Sequence, residues 1–264
     1  RAFPTWWRTR KPIDTSRTIT PSRTPSTRWT RRSPVATPRS RDGHHILYLH
    51  GGAYCYGAPV LYRDFIWRIA DATGASVLCI EYRLAPEHPF PAGLEDALAA
   101  YRWMLAQGIP ARRLAVMGDS AGGGLTFGLL LRLRDEGIEL PAAAVGLSPW
   151  TDMSLSGESL RRNAEADPML NARQAGHLAS FYLGNADPRH PHASPLFGDH
   201  AGLPPSLIQV GGDEILLDDA VGLAERMQQA GCAAELEVWP RMPHVWRSEE
   251  HTSELQSPYV ISYA

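Results

Sequence analysis

The chain has 264 residues, of which 44% are hydrophobic and 20% charged, a composition typical of a globular protein with one sizeable core. This composition excludes a coiled coil and a low-complexity polymer. The net charge of -2 conceals a basic amino-terminal stretch, since residues 1–43 hold 11 of the 26 Lys and Arg residues and only two of the 28 Asp and Glu residues. The rest of the chain carries no basic stripe, so its composition does not favour nucleic-acid binding.

The cysteines and the apolar runs bear on the cellular compartment. Cys55, Cys79 and Cys232 are odd in number and widely spaced, which is typical of neither a disulfide framework nor a zinc site. The longest apolar runs, such as residues 142–147, are far shorter than the roughly 20 residues that span a bilayer. Residues 1–20 lack the apolar segment of a signal peptide. We therefore predict a cytoplasmic protein without stable membrane insertion.

Residues 1–43 are rich in Arg, Thr, Ser and Pro and show no apolar periodicity. A segment of this kind buries too little apolar surface to offset the entropy that ordering costs. We expect a disordered or out-of-frame stretch. The alternative is a basic arm that binds a membrane or a nucleic acid.

From residue 44 onwards, short apolar runs alternate with amphipathic stretches of ten to fifteen residues. This rhythm predicts one doubly wound α/β domain over residues 44–246, with a mostly parallel sheet between helices. The predicted strands are Ile46–Leu49, Ser76–Tyr82, Leu114–Met117, Ala142–Leu147, Ser206–Val210 and Ala234–Trp239. The predicted helices are Leu61–Thr73, Leu94–Gln107, Gly122–Glu136 and Asp218–Ala230.

A long connection separates the predicted strands that end at Leu147 and begin at Ser206. It is rich in proline and contains short helical patterns over residues 157–163 and 172–182. Connections of this length inside a compact domain are usually functional insertions. We therefore expect a partial cap over the site, at about residues 151–203.

Residues 118–122 read Gly-Asp-Ser-Ala-Gly, between a predicted buried strand and a long predicted helix. Small flanking residues allow the sharp turn that exposes a strained nucleophile above the sheet. This context makes Ser120 the candidate nucleophile. The alternative is a glycine-rich helix start or phosphate loop, and the absence of Lys from the segment disfavours a phosphate loop.

His50, Gly51, Gly52 and Ala53 directly follow the first predicted strand. Successive glycines let backbone N–H groups point into a cavity, as an oxyanion hole requires. We predict donors at Gly51 and Gly52, together with the N–H of Ala121, which follows the nucleophile. His50 is expected to support this loop by hydrogen bonds. The alternative is a simple glycine turn.

A serine nucleophile needs a base that is oriented by an acid, and both are expected at the carboxyl ends of later strands. His244 follows the last predicted strand and is the candidate base. Asp213 follows the preceding strand and is the favoured acid. The competing acids are Glu214, Asp218 and Asp219, of which the last two resemble the N-cap and first-turn acids of the next helix.

Three other polar side chains are not assigned to the catalytic site. His190 and His192 are close in sequence but lack a nearby cysteine or third ligand, so we predict no metal site and no cofactor. Asp152 is expected to cap its own loop.

Six motifs resemble the bacterial branch of the hormone-sensitive lipase family of α/β-hydrolases. They are HGGAY at 50–54, EYRLAPEHPFPAGLEDA at 81–97, GDSAGGG at 118–124, SPWTD at 148–152, GGDEILLDD at 211–219 and MPHVW at 242–246. The resemblance implies an α/β-hydrolase fold with Ser120 as nucleophile, Asp213 as acid and His244 as base. It also implies Gly51, Gly52 and Ala121 as oxyanion donors. Family members usually have a third glycine where this chain has Ala53, whose N–H is intact.

The two ends of the chain depart from the family. We recognise neither the upstream cap helices nor the opening strands of the family in residues 1–43. Residues 247–257 read RSEEHTSELQS, which matches the translation of a common sequencing-library adapter. We therefore expect residues 247–264 to be a non-native tail that replaces the final helix.

The resemblance implies a serine carboxylesterase that hydrolyses short to medium acyl esters through an acyl-enzyme. Its expected partner is a small-molecule ester, and the motifs do not predict an oligomeric state. The alternatives are an amidase or acyltransferase with the same triad, and an inactive truncated fragment of such an enzyme. A non-catalytic receptor on this fold is disfavoured because such receptors typically lose the base, and His244 is present.

Overall fold

A computed structural model describes residues 35–37, 40 and 42–246. The strands are β1 (Val35–Ala36), β2 (His45–Leu49), β3 (Ser76–Cys79), β4 (Leu114–Asp119), β5 (Ala143–Leu147), β6 (Ser206–Gly211) and β7 (Ala234–Trp239). The α-helices are α1 (Arg63–Thr73), α2 (Ala92–Ala106), α3 (Ser120–Asp135), α4 (Ser159–Arg162), α5 (Ala172–Leu183) and α6 (Leu217–Gln229). Short 3-10 turns form at Pro59–Tyr62, Ala111–Arg113 and Pro195–Phe197.

The strands form one sheet in the order β1-β3-β2-β4-β5-β6-β7. Strands β2 to β7 are parallel to their neighbours, and β1 is antiparallel to β3. Because the carboxyl ends of parallel strands meet at one edge of a sheet, the loops after β2, β4, β6 and β7 converge there. This edge carries the candidate site.

Alternating strand residues pack against helices on both faces of the sheet. Leu47 and Val116 lie in a core cluster with α2 and α3. Their neighbours Ile46 and Met117 point to the opposite face and pack against α1. Helix α6 covers β5 and β6 on the same face as α3. Helix α3 is buried along almost its whole length, which explains why its sequence lacks a polar stripe.

The six predicted strands and four predicted helices are all confirmed, with small differences at their ends. The largest difference is at β3, which ends at Cys79 rather than at Tyr82. Beyond the end of this strand, the hydroxyl of Tyr82 donates to the backbone oxygen of His50, 2.7 Å away. Both short cap helices are also present, as α4 and α5.

A short strand lies on the amino-terminal side of the predicted domain boundary at residues 43 and 44. Val35 and Ala36 pair with Cys79 and Leu78 at the edge of the sheet. Thr37 is buried, and its hydroxyl accepts a 2.7 Å bond from the backbone N–H of Val77. A two-residue strand is too short for its sequence to show periodicity, so composition alone could not distinguish it from its surroundings. The predictions for residues 1–34 and 247–264 lie outside the described residues.

The cap contacts the loop that follows β2. Tyr182 on α5 stacks on Tyr54, with ring centroids 3.8 Å apart, and its carbonyl accepts a bond from the N–H of Phe90. This stack joins the insertion to the predicted oxyanion loop.

In residues 35–37, 40 and 42–246, none of the helices is both long and apolar enough to cross a membrane. Cys55, Cys79 and Cys232 are all free thiols. The cytoplasmic compartment stays a prediction.

Candidate active site

Ser120 sits at the sharp turn between β4 and α3, with a φ of 51° that places it in the left-handed region. Only small residues fit around it. A Cβ at Gly118 would lie 2.2 Å from the carbonyl oxygen of Gly122, and one at Gly122 would lie 1.9 Å from that of Leu49. The glycines therefore let the turn pass against the end of β2. This is the strained strand-to-helix context that the sequence predicts for a nucleophile.

Ser120 and His244 lie 124 residues apart in sequence, and their side chains are in direct contact. The Ser120 Oγ lies 2.9 Å from Nε2 of His244. The other ring nitrogen, Nδ1, lies 2.7 Å from the Oε2 of Glu214. Because a carboxylate only accepts, Nδ1 carries the proton and Nε2 offers its lone pair to the serine hydroxyl. All three side chains are buried.

The structure does not bring Asp213, the favoured acid, to His244. Residues 211–214 form a turn after β6, in which the N–H of Glu214 points to the carbonyl of Gly211. This turn leaves Asp213 half-buried and directs the Glu214 side chain inwards, where it is fully buried. Both acids are present in the sequence. Their order alone does not show that the turn directs the second acid, and not the first, towards the base.

Two further donors hold the Glu214 carboxylate. Its Oε1 accepts bonds from the Ser148 hydroxyl at 2.6 Å and from the N–H of Gly211 at 2.5 Å. The Ser148 oxygen also accepts the N–H of Val245, the residue after the base, at 3.1 Å. Ser148 thus links the acid and the base from the loop after β5.

The acid and base loops pack closely against each other. A Cβ at Gly211 would lie only 2.1 Å from the carbonyl oxygen of Met242. Glycine is therefore required at this position for His244 to approach Glu214.

The N–H of Gly51, a predicted oxyanion donor, is hydrogen-bonded within the protein. Its N–H points to the Asp119 Oδ1 at 2.9 Å and the Tyr62 hydroxyl at 3.0 Å. These contacts occupy the N–H within the protein. No partner is found for the N–H groups of Gly52 and Ala53 among the described residues.

Gly52 and Ala53 adopt positive φ values of 118° and 51°. A Cβ at Gly52 would lie 2.2 Å from the carbonyl oxygen of Tyr56, so this predicted donor must be a glycine. Ala121 is at the start of α3, where backbone N–H groups lack a carbonyl one turn earlier in the helix. The N–H groups that remain available are those of Gly52, Ala53 and Ala121, whereas that of Gly51 is occupied.

Asp119 anchors the oxyanion loop, a role that the sequence reasoning missed. Its carboxylate accepts bonds from the hydroxyls of Tyr48 at 2.7 Å and Tyr62 at 2.9 Å, besides the N–H of Gly51. Burial raises the pKa of Asp119, and these three bonds and the charge of His244 oppose the rise. The available signal was an acid inside a glycine-rich turn, beside an apolar strand that contains a tyrosine.

His50 supports the loop from below, in agreement with its predicted role. Its Nδ1 donates to the Gly51 carbonyl at 2.8 Å, and its ring stacks on Tyr82 with centroids 4.3 Å apart. The bond and the stack together hold the backbone that precedes Gly52.

The acids around the cap serve its attachment. Asp152 accepts bonds from the N–H and hydroxyl groups of Ser154 and Ser156, as expected for a loop cap. Asp218 and Asp219 lie in the first turn of α6, as the sequence predicts, but neither is its N-cap residue. Asp219 accepts the N–H groups of Thr151 and Asp152, and Asp218 accepts that of Ser159. Both therefore bind the insertion instead of their own helix.

Opposing effects set the pKa of His244. Burial lowers it, but the hydrogen bond and charge of Glu214 raise it, and so do the charges of Asp167 and Asp119. The net result is a pKa above the ordinary value of 6.5. The site therefore favours the imidazolium form that arises when the base takes the serine proton.

Within the part of the chain that the structure describes, no cluster of three or more His, Cys, Asp or Glu side chains could hold a metal ion. Separately, the contact between Ser120 and His244 allows nucleophilic attack by the serine and proton transfer through the imidazole.

A family model described as the alpha/beta hydrolase fold matches residues 46–248. An acetyl-hydrolase of Streptomyces hygroscopicus is 48% identical over 209 residues, which are 79% of this chain and 70% of that protein. An esterase of Acinetobacter venetianus is 37% identical over 199 residues, which are 75% of this chain and 65% of that protein. The chain thus spans about two thirds of the length of these relatives.

Solved structures show the same similarity. An esterase from the bacterial hormone-sensitive lipase family has a TM-score of 0.75 at 47% identity, covering 84% of this chain and 76% of that one. An esterase/lipase from an uncultured bacterium has a TM-score of 0.80 at 44% identity, with the same shares covered. The chain belongs to the α/β-hydrolase family, alongside the bacterial hormone-sensitive lipase esterases.

Proposed function

We propose that the protein is a serine carboxylesterase in which Ser120 is the nucleophile, His244 the base and Glu214 the orienting acid. The observation that carries this proposal is the chain of two bonds, 2.9 Å from Ser120 to His244 and 2.7 Å from His244 to Glu214. The strained turn at Ser120 adds support because it holds the hydroxyl at the edge where the loops converge.

In the acylation step, the Ser120 oxygen attacks the ester carbonyl carbon and its proton moves to Nε2 of His244. The electron pair of the carbonyl shifts to oxygen, and the N–H groups of Gly52, Ala53 and Ala121 stabilise that negative charge. The bond to the leaving alcohol then breaks, and the alkoxide takes the proton from His244. Glu214 keeps the ring in the correct tautomer and stabilises the imidazolium.

In the deacylation step, water attacks the acyl carbon while His244 accepts its proton. The second tetrahedral intermediate uses the same backbone donors. Its collapse breaks the bond between the acyl carbon and the Ser120 oxygen, which recovers its proton from His244. The carboxylic acid leaves, and the site returns to its starting state.

Short acyl esters are the proposed substrate class. The relatives include an acetyl-hydrolase and, in Pseudomonas putida, an ethyl acetate hydrolase, which is 35% identical over 208 residues. A solved esterase at 44% identity, with a TM-score of 0.80, was soaked by p-nitrophenyl butyrate.

The decisive experiment compares the turnover of p-nitrophenyl acetate and p-nitrophenyl butyrate by the wild type and by Ser120→Ala. We expect kcat to fall by about 10⁴-fold or more, since removal of the nucleophile leaves only binding and oxyanion effects. Ser180→Ala is the matched control because its hydroxyl is on the exposed side of α5, bonded to His177. Near-full turnover by Ser120→Ala would refute the proposal. The matching anilides and added alcohol acceptors would separate amidase and acyltransferase activity.

A further inference from the structure

The cap binds the backbone on both sides of Glu214. Asn163, just after α4, donates through Nδ2 to the carbonyl oxygens of Gly212 at 3.0 Å and Glu214 at 2.7 Å. Asp167 accepts the N–H of Ile215, the next residue, through Oδ2 at 2.9 Å. The insertion is therefore attached to the loop that orients the base.

Asp167 differs from Asn163 in carrying a charge. Its side chain is buried, and its Oδ1 accepts the N–H groups of Met169 and Leu170, both at 2.9 Å. No Lys or Arg side chain forms an ion pair with it among the described residues. A buried carboxylate is costly unless it is bonded and compensated, so a nearby cation lowers its cost.

His244 becomes a cation when it takes the serine proton, and Asp167 is bonded to the backbone next to its orienting acid. The charged groups that act on His244 come from three elements: Glu214 after β6, Asp119 at the end of β4 and Asp167 in the cap. Burial has the largest effect on the pKa of His244 and lowers it, Glu214 then raises it, and Asp167 raises it further. The cap therefore contributes a negative charge that acts on His244.

We propose that Asp167 is a positioning residue for the esterase reaction, which fixes the backbone beside Glu214 and, as a second buried carboxylate, stabilises the imidazolium that His244 becomes during catalysis. This inference rests on the function proposed above. It gives the insertion a role in the chemical step, separate from any role in substrate selection.

The test is an NMR titration of His244 together with the pH profile of kcat/KM, in the full chain. Asp167→Asn keeps the shape and one acceptor but removes the charge. We expect the titration midpoint of His244 to fall by about 0.5 to 1 pH unit and kcat to fall several-fold with KM little changed. Asn163→Ala is the matched control because it removes two bonds to the same loop without changing the charge. It is expected to lower the melting temperature and leave the midpoint unmoved.

An unchanged His244 midpoint in folded Asp167→Asn would overturn the proposal, and so would an equal shift in Asn163→Ala. If Asp167→Asn does not fold, the same titration is carried out on Asp167→Ser, whose hydroxyl also accepts an N–H and carries no charge. Failure of both neutral variants to fold would show a structural role alone and would also overturn it. Because the titration needs no turnover, a wild type that titrates as expected but cleaves no ester would refute the esterase function instead.

Discussion

The Glu214 carboxylate lies 2.7 Å from the Nδ1 of His244, and its second oxygen accepts the Ser148 hydroxyl at 2.6 Å. Ser148 in turn accepts the N–H of Val245. The acid is thus bonded to the ring it orients and, through Ser148, to the backbone that carries that ring. Loops after β5, β6 and β7 form one hydrogen-bonded unit behind the nucleophile.

Activity should be lost on acidification at a higher pH than for an ordinary histidine. The base must be neutral to accept the serine proton, and the pKa of His244 lies above 6.5. As pH falls through that pKa, the imidazole becomes charged and kcat/KM declines. The measurement is the pH profile of kcat/KM with p-nitrophenyl acetate. An acidic midpoint at or below 6.5 would contradict this assignment of charges.

Tyr62→Phe should slow the reaction without weakening substrate binding. The Tyr62 hydroxyl donates to Asp119 and accepts the N–H of Gly51, so its loss loosens the anchor of the oxyanion loop. One such bond is worth about 1 kcal/mol, so kcat should fall about five- to tenfold with KM within a factor of two.

Tyr101→Phe is the control for this change. It also removes a buried tyrosine hydroxyl bond, here to the carbonyl of Glu139 at 2.8 Å, but on α2 away from the site. We expect it to lower the melting temperature and leave kcat intact. Equal kcat values for the two variants would show that Tyr62 only stabilises the fold.

Gly122→Ala should disrupt the elbow. Its Cβ would lie 1.9 Å from the carbonyl oxygen of Leu49, and backbone on both sides cannot move aside without separating α3 from β2. We expect a destabilisation of about 3 kcal/mol or more in urea unfolding, or failure to fold.

Gly176→Ala provides the comparison. It lies within α5, and its nearest neighbour would be 3.7 Å from the new Cβ. The change should stabilise the protein by up to about 1 kcal/mol, since Ala is the better helix former. A Gly122→Ala variant as stable as the wild type would show that the tight approach at the elbow is not required.

Asp219→Asn should change how stability depends on pH. Burial raises the pKa of Asp219 to about 8, with the bonds from Thr151 and Asp152 opposing the rise and the nearby acids adding to it. Because the folded pKa exceeds the unfolded one, the contribution of Asp219 to wild-type stability is complete below about pH 4 and is lost as pH rises towards 8.

Urea unfolding at several pH values measures this effect. The stability of Asp219→Asn relative to the wild type should increase between pH 4 and 8. Asp199→Asn is the control, since its side chain is 74% exposed, and its difference from the wild type should show no such trend. A constant difference for Asp219→Asn would refute the raised pKa.

Sequence patterns predicted the features that depend on position along a strand or helix. Ser120 and His244 were identifiable because each follows a predicted strand, and parallel strands bring such residues to one edge. The six strands and the helices α1, α2, α3 and α6 followed from apolar runs of distinct length. These patterns are local in sequence, so they can be recognised without knowledge of the tertiary contacts.

Features that depend on turn geometry were not predictable in the same way. Asp213 and Glu214 are adjacent acids, and only the turn after β6 decides which one faces the base. Gly51 and Ala53 both carry a backbone N–H, but that of Gly51 donates to the Asp119 carboxylate. The sequence does not show this contact. Strand β1 has only two residues and is defined by its pairing with the edge of β3. A tertiary contact of this kind leaves no pattern in the sequence.

The most direct measurement is kcat/KM on p-nitrophenyl acetate for Glu214→Gln and Asp213→Asn, two amide replacements at neighbouring acids. We expect Glu214→Gln to lose about 10³- to 10⁴-fold, since the ring loses both its orienting acceptor and the charge that stabilises it. Asp213→Asn should stay within a factor of three, since its side chain makes no bond to His244. The reverse order, or a Glu214→Gln variant close to the wild type, would contradict the Ser120, His244 and Glu214 assignment.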